Sequence, residues 1–382
     1  MYTIAAYGNM IADSIRTSAY VEALRQAVKP GAVVLDIGTG TGIFALLACQ
    51  FGARRVYAIE PSDAIQVGRE VAVANGYGDQ IEFIQGLSTQ ITLPEKVDAI
   101  VSDLHGALPL FQHHIPSIVD ARQRFLAPGG VQIPQRDTLW ATVVEAPKLY
   151  ASYDEPWSSY PYGFKMEAAR LRTVNTWSHG KKLTSEQFLV EPQSWAVLDY
   201  LTIESPDIRA SLTWTVNRAG TGHGLALWFD GTLAAGMEFS NAPDKPELVY
   251  GYGFFPWESP VSLTPGDTVA VTLQANLVGD DYIWRWETQV FEKDNPSQGK
   301  ANFRQSTFYG EPLSLEQLRK RAETYIPSLQ EAGQIDALIL RQMGEAQSLG
   351  AIAREIAAQF PQRFPTYQAA LTHVGDLSAR YS

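Results

Sequence analysis

The chain holds a single cysteine, Cys49, among 382 residues. That excludes an internal disulfide and any zinc cluster built on cysteines. It also lacks a long apolar run: the stretch from Ile43 to Cys49 is unbroken but far short of the ~20 residues a membrane span requires. No apolar signal-peptide core opens the sequence, since Asp13 and Arg16 already stand near its start. Positive charge is in deficit. Lys and Arg number 30 against 41 Asp and Glu, a net charge of −11, which repels phosphate backbones and anionic lipid and argues against a nucleic-acid or membrane partner. Internal repeats and low-complexity stretches are missing too. What is present is a globular composition, 45% apolar and 19% charged. Its length suits two or three domains at roughly 100–200 residues each. These features together predict a cytoplasmic, multidomain protein.

The first third alternates strand-like and helix-like patterns. Val33 to Ile37 is a β-rich run ended by Gly38-Thr39-Gly40-Thr41-Gly42, and Ile43 to Phe51 reads as a buried helix. Arg55 to Ile59 is a second strand, Ala64 to Ala74 a second helix, and Ile81 to Ile84 and Val97 to Val101 are further strands. Strands alternating with helices of this length predict βαβ units and a parallel sheet covered on both faces. A turn signal, Leu126-Ala127-Pro128-Gly129-Gly130, closes that pattern. From about Thr138, alternating stretches such as Ala210 to Val216 and Thr268 to Leu273 are punctuated by Gly, Pro, Asn and Asp. They predict an antiparallel sandwich or small barrel. Lys148 to Leu171 is rich in aromatics and proline (Tyr150, Tyr153, Trp157, Tyr160, Tyr162, Phe164) and reads as a lid or a subunit-docking arm. Beyond about Pro312 the chain turns helical again, with Leu349, Ile352, Ala353 and Ile356 at amphipathic spacing. Residues 301–382 carry eight basic and eight acidic side chains. Without a positive face, the short helices Ile335 to Met343 and Ser348 to Phe360 read as a packing or partner-docking tail rather than a DNA reader. The division expected is 1–137, 138–300 with its arm at about 148–171, and 301–382.

A glycine-rich turn between strand and helix lets backbone N–H groups approach a ligand closely, and the helix N-terminus favours negative charge there. Here the spacing is G-x-G-x-G, through Gly38, Gly40 and Gly42, preceded by the acidic Asp36. The third glycine falls one residue too early for the dinucleotide form G-x-G-x-x-G. Glu60 stands at the end of the next strand, about 20 residues on, where a carboxylate can accept both hydroxyls of a ribose. Loop, strand–helix context and carboxylate together indicate a nucleoside cofactor.

Val34-Leu35-Asp36-Ile37-Gly38-Thr39-Gly40-Thr41-Gly42 resembles motif I of the class I S-adenosylmethionine (SAM) methyltransferases, and the wider pattern resembles the protein arginine methyltransferase family. Met10 to Thr17 is similar to that family's cofactor-covering N-terminal helix, and Gly52 to Glu60 to its second strand and ribose carboxylate. Gly86-Leu87-Ser88 with Leu93-Pro94 resembles its adenine-edge loop, Ser102 to Gly106 its active-site hairpin, and Tyr162-Gly163-Phe164 its dimerisation arm. The resemblance implies a Rossmann-like SAM-binding domain, an antiparallel β-barrel-like domain and a homodimer, with a C-terminal helical extension lying outside it. It also implies roles. Arg16 would pair with the SAM carboxylate, Asp36 and Gly38 would line the amino-acid part, Glu60 would hold the ribose and Ser88 would meet the adenine amine. Tyr7 and Met10 would close over the cofactor near the sulfonium.

The acceptor side departs from the family. Its paired hairpin glutamates, which hold a guanidinium bidentately, are replaced by Asp103 and the neutral Gln112. Leu248-Val249-Tyr250 stands where its Thr-His-Trp loop should fall, with neither His nor Trp. Three histidines, His105, His113 and His114, lie on or beside the hairpin, and a histidine can take a proton near neutral pH. His113 and His114 are adjacent rather than at helical ligand spacing, so no metal is expected. The expectation is a SAM-dependent methyltransferase acting on a nitrogen or oxygen of a small-molecule or peptide acceptor. In it Asp103 and Gln112 orient that acceptor, and His105 or Asp103 accepts its proton. Two alternatives stay open: a true protein arginine methyltransferase and a non-catalytic SAM-binding scaffold.

Overall fold

Asp13 divides the N-terminal helical stretch in two. It ends α1 (Ile4–Ala12), and its carboxylate accepts from the Arg16 amide to cap α2 (Ser14–Ala27). The structure, a computed structural model, describes residues 2–159, 162–180, 183–294 and 299–382. After α2 come β1 (Val33–Ile37), α3 (Ile43–Gln50), β2 (Arg55–Glu60), α4 (Ala64–Ala74), β3 (Ile81–Gln85), β4 (Val97–Ser102), α5 (His114–Arg124) and β5 (Leu126–Ile133). The five strands pair in parallel in the order β3-β2-β1-β4-β5. Every residue of β1 is buried, as its unbroken apolar run requires of a strand covered on both faces. The turn expected at Leu126 to Gly130 instead lies inside β5. There the register against β4 shifts and Gly129 takes φ +77°, so an irregular stretch absorbs the Pro-Gly signal without ending the strand. Strand order reverses between β2 and β4 on either side of β1, and a ligand crevice opens outside the carboxyl ends of the strands at such a switch.

The second half of the first compact unit, residues 1–312, is antiparallel. Its strands are β6 (Arg136–Val144), β7 (Ser178–Gly180), β8 (Gln193–Asp199), β9 (Ile208–Thr215), β10 (Gly220–Ala234), β11 (Met237–Ser240), β12 (Tyr252–Leu263), β13 (Thr268–Val278), β14 (Asp281–Phe291) and β15 (Gly299–Ser306). One sheet runs β7-β12-β10-β6-β8 with β11 on β10, the other β15-β14-β13-β9. Burial alternates strictly along β14, so its inner face packs while its outer face meets water. Phe255 of β12 meets Trp284 and Trp286 of β14 with ring centroids 5.1 and 5.3 Å apart. The Trp286 indole N–H donates to the Pro256 carbonyl at 3.0 Å, so its buried polar handle has a partner.

The aromatic segment after β6 folds into α6 (Pro147–Ser158) and α7 (Glu167–Thr173). Tyr150 and Arg170 both donate to the Glu258 carbonyl, at 3.0 and 2.7 Å, and fasten the segment to β12. Between the helices Tyr162 and Phe164 project, 87% and 72% exposed; Tyr160 lies outside the described residues. Because β15 continues past residue 300 and is followed by α8 (Thr307–Gly310), the helical extension begins at Leu313 rather than 301. That second unit contains α9 (Leu315–Lys320), α10 (Glu331–Gly344), α11 (Leu349–Gln359) and α12 (Tyr367–Tyr381). Its core joins Ile335 and Ile339, Ile352 and Ile356, and Val374 and Leu377. Helix α12, capped by Thr366, is absent from the sequence expectation. Among the described residues no helix is long and apolar enough to cross a membrane.

Trp286→Ala should lower the unfolding free energy by about 3–5 kcal/mol, the usual cost of emptying a buried aromatic site. Urea denaturation of the full chain measures it.

Candidate active site

The carboxyl ends of β1, β2 and β4 meet at the switch point, and each delivers a buried acid. Asp36 is fully buried on β1, where Thr39 donates its hydroxyl to Oδ2 at 2.6 Å and Oδ1 has no partner. Burial pushes its carboxyl up to about 7, against the hydroxyl hydrogen bond that opposes it. Glu60 ends β2 and accepts from the Gly40 amide at 3.1 Å and the Ser62 amide at 2.9 Å, which turns it towards the glycine loop. Gly38 and Gly40 both take positive φ. A Cβ on Gly38 would overlap the Leu104 side chain, and one on Gly40 the Tyr7 ring. The loop therefore needs glycine for conformation and for clearance. Gly42, also at positive φ, precedes α3. Tyr7 and Met10 are half-buried on α1, and the Tyr7 ring lies over Gly40. Ser88 is buried in the short turn after β3, its carbonyl held by Arg124 at 2.7 Å.

Beyond the end of β4, Asp103 is the centre of a buried polar network. Its Oδ2 accepts from Arg16 Nε at 2.6 Å, from Arg16 Nη2 and from the Tyr250 hydroxyl at 2.8 Å. Its Oδ1 faces His105 Nδ1 at 2.8 Å and Tyr250 at 2.9 Å. The other ring nitrogen of His105, Nε2, stands 2.8 Å from Asp137 Oδ2 at the start of β6, and the Tyr200 hydroxyl donates to that same oxygen. His105 stacks on Phe229 and meets His114 edge-on, with centroids 5.0 and 4.9 Å away. Burial opposes the charge on Asp103, yet Arg16, His105 and Tyr250 outweigh it and hold the carboxyl well below the usual range. Burial likewise opposes charge on His105, but Asp137 and Asp103 push it up to about 9. His114, buried and next to His105, is held well below the ordinary histidine value.

This arrangement brings Arg16, Asp103 and His105 together, and adds Tyr250, Asp137 and Tyr200, which sequence reasoning missed. Tyr250 entered it only as the residue found in place of a His or Trp. The one sequence signal for Asp137 is an acid at the start of a strand pattern that is otherwise apolar on alternate positions. Arg16 is engaged by Asp103 in this structure, with Nη1 donating to the Met10 carbonyl at 3.0 Å. One of its Nη2 hydrogens remains for a second carboxylate. His105 has both ring nitrogens against carboxylates, so neither offers a lone pair to an acceptor's proton. Gln112 is exposed at φ +43°, outside the network, and His113 is exposed against Asp280 at 3.1 Å. Among the described residues no group of three or more His, Cys, Asp or Glu could hold a metal ion.

The donor set on the cofactor side suits a ligand carrying an ammonium and a vicinal diol. The orphaned Asp36 oxygen needs a donor, and the oriented Glu60 carboxylate has lone pairs to spare.

Comparison with known proteins supports this reading. The model of the ribosomal protein L11 methyltransferase (PrmA) family matches residues 15–134. Human protein arginine N-methyltransferase 2 is 32% identical over 306 residues, 75% of this chain and 69% of that protein. Protein arginine N-methyltransferase 6 of Danio rerio is 31% identical over 258 residues, 64% of this chain and 74% of its own. The probable protein arginine N-methyltransferase 6 of Arabidopsis thaliana is 31% identical, and the chain spans only 56% of its length. Among solved structures, Arabidopsis protein arginine methyltransferase 10 superposes with a TM-score of 0.69 at 24% identity, covering 80% of this chain and 97% of its own. The Trypanosoma brucei PRMT1 enzyme–prozyme complex with AdoHcy gives 0.70 at 20%, covering 78% and 96%. At those identities the superpositions show the fold.

His105 carries a pH signature. Its folded pKa, about 9, lies above the unfolded 6.5, so the stability it contributes is complete below pH 6.5 and is lost as pH rises through about 9. Chemical denaturation across that window should show wild-type stability falling, and His105→Gln should flatten the fall.

Proposed function

The chain belongs to the protein arginine methyltransferase family, and on that premise we propose that it is a SAM-dependent enzyme that methylates a nitrogen or oxygen of a small-molecule or peptide acceptor. The observation that carries this reading is the convergence of Asp36, Glu60 and Asp103 at the carboxyl ends of adjacent strands beside a loop whose three glycines all take positive φ. Asp36 would bind the ammonium group, Glu60 the ribose hydroxyls and Ser88 the adenine edge. Arg16 would add the amino-acid carboxylate to its present partner. SAM supplies a methyl group on a positively charged sulfur. The chain's own task is then to position the acceptor and to exclude water. Tyr7 and Met10 on α1, with Leu104 over Gly38, would do the excluding. Asp103 stands where the family resemblance puts the acceptor.

A second reading, methylation of peptidyl arginine, is favoured by the names of the relatives. It is disfavoured by Gln112, which is neutral and turned to solvent, and by Asp103, whose oxygens are taken. A third reading, a silent SAM-binding scaffold, differs from both in turnover alone.

Calorimetry should show the full chain binding both SAM and S-adenosylhomocysteine. Glu60→Ala should weaken that binding by about 10- to 100-fold, as expected for losing hydrogen bonds to a charged group. Methyl-labelled SAM should pass label to an acceptor in a mixture of small molecules and peptides. Binding without any transfer would identify the scaffold, and no binding would overturn the cofactor assignment.

The exposed Tyr162 and Phe164 on a segment fastened to β12 support a homodimer docked through this arm. Sedimentation should give a dimer for the wild type and a monomer for the double variant Tyr162→Asp, Phe164→Asp. A wild-type monomer, or an unchanged dimer in the variant, would remove the arm from the assembly.

A further inference from the structure

The acceptor's charge can be read from how completely Asp103 is used inside the chain. A carboxylate offers about four lone-pair directions. Those of Asp103 face Arg16 and Tyr250 on one oxygen and His105 and Tyr250 on the other. His105 in turn lies between Asp103 and Asp137, with each ring nitrogen 2.8 Å from a carboxylate oxygen. An ionised carboxylate can only accept, so both nitrogens donate and the ring is an imidazolium. Two carboxylates, one imidazolium and one guanidinium cancel. The remaining groups around His105 add no charge: Phe229 and Phe239 are apolar, Tyr250 and Tyr200 stay phenolic, and His114 is neutral. Across the hairpin, Gln112 is neutral and exposed.

We infer that the acceptor is an uncharged nucleophile, and that the site selects against a guanidinium or ammonium cation. This rests on the methyltransferase reading above. A cation brought to Asp103 would meet the imidazolium of His105 and the guanidinium of Arg16 with both Asp103 oxygens already bonded. Of the neighbouring carboxylates with oxygens left over, Asp36 and Glu60 are those assigned to the SAM ammonium and ribose, and the unpaired Oδ1 of Asp137 is itself buried. Two like charges in a water-poor site repel strongly. An uncharged acceptor escapes that repulsion. The specificity determinant is then His105. By occupying Oδ1 of Asp103 from one side and Asp137 from the other, it converts an acidic pocket wall into a neutral one without removing either carboxylate.

The test uses the full chain saturated with S-adenosylhomocysteine and reads binding and protonation, not turnover. Nitrogen NMR of the labelled histidines near neutral pH should show His105 protonated at both ring positions. A neutral His105 ring would overturn the charge balance. Calorimetric titration with a short glycine-flanked arginine peptide and with its citrulline twin, an uncharged isostere, should show no preference for the cation. Equal affinity within about threefold, or no binding by either, supports the inference; an arginine peptide binding more than about tenfold tighter than the citrulline one overturns it. If S-adenosylhomocysteine itself fails to bind, the methyltransferase reading falls, while the NMR of the unliganded chain still decides the protonation of His105.

Discussion

The carboxylate of Asp103 is the point through which the rest of this structure is tied together. It receives Arg16 from α2, His105 from its own hairpin and Tyr250 from the loop before β12. Through His105 it reaches Asp137 at the start of β6 and then Tyr200 beyond β8. The N-terminal helices, the parallel sheet and the antiparallel sheets thus share one buried network. Burying these charges is costly and is tolerated only because each is paired and hydrogen-bonded. Removing one partner would strand another, so the network couples the N-terminal helices to the hairpin after β4 more tightly than packing alone. Asp13 adds a second tie of the same kind, capping α2 while its Oδ2 accepts from the Val249 amide at 2.8 Å.

The two halves of the site follow different physical logics. The proposed cofactor contacts come from strand ends and a glycine loop: Asp36 lies one residue before the end of β1, Glu60 closes β2, and positive φ at Gly38 and Gly40 sets the turn from β1 into α3. These are local consequences of the βαβ unit. The acceptor half is assembled from residues far apart in sequence, and its character depends on which hydrogen bonds each carboxylate has already made. That is why the same backbone can present an acidic wall or a neutral one. On the proposal above, Arg16 and His105 balance the charge of Asp103 and Asp137, where the family resemblance would put paired glutamates.

That difference also explains what could be read in advance. The parallel sheet, the antiparallel region and the glycine loop with Asp36 and Glu60 were legible because periodicity and short spacing encode them. The Pro-Gly signal after Arg124 misled, since β5 absorbs it as an irregularity. The strand β15 hid behind a polar, alternating stretch, while α12 carries a buried stripe of Ala370, Val374 and Leu377 that the spacing counted over Leu349 to Ile356 did not reach. Asp103 and His105 stood out as changes to a motif, but their partners did not. Asp137 lies 32 residues from His105 and Tyr250 lies 147 from Asp103. No pattern along the chain announces contacts that only the docking of the two sheet systems creates. Gln112 was drawn towards the acceptor by its hairpin position, whereas the backbone turns it to solvent.

The most direct test of the central claim, a SAM site whose neighbouring carboxylate is spent within the protein, is a crystal structure of the full chain with S-adenosylhomocysteine. The account predicts the ammonium group at Asp36, the ribose at Glu60, and Asp103 still bonded to His105 and Tyr250 beside the sulfur. An Asp103 swung free of His105 into an open acidic cavity, or a ligand lying away from β1 and β2, would contradict it.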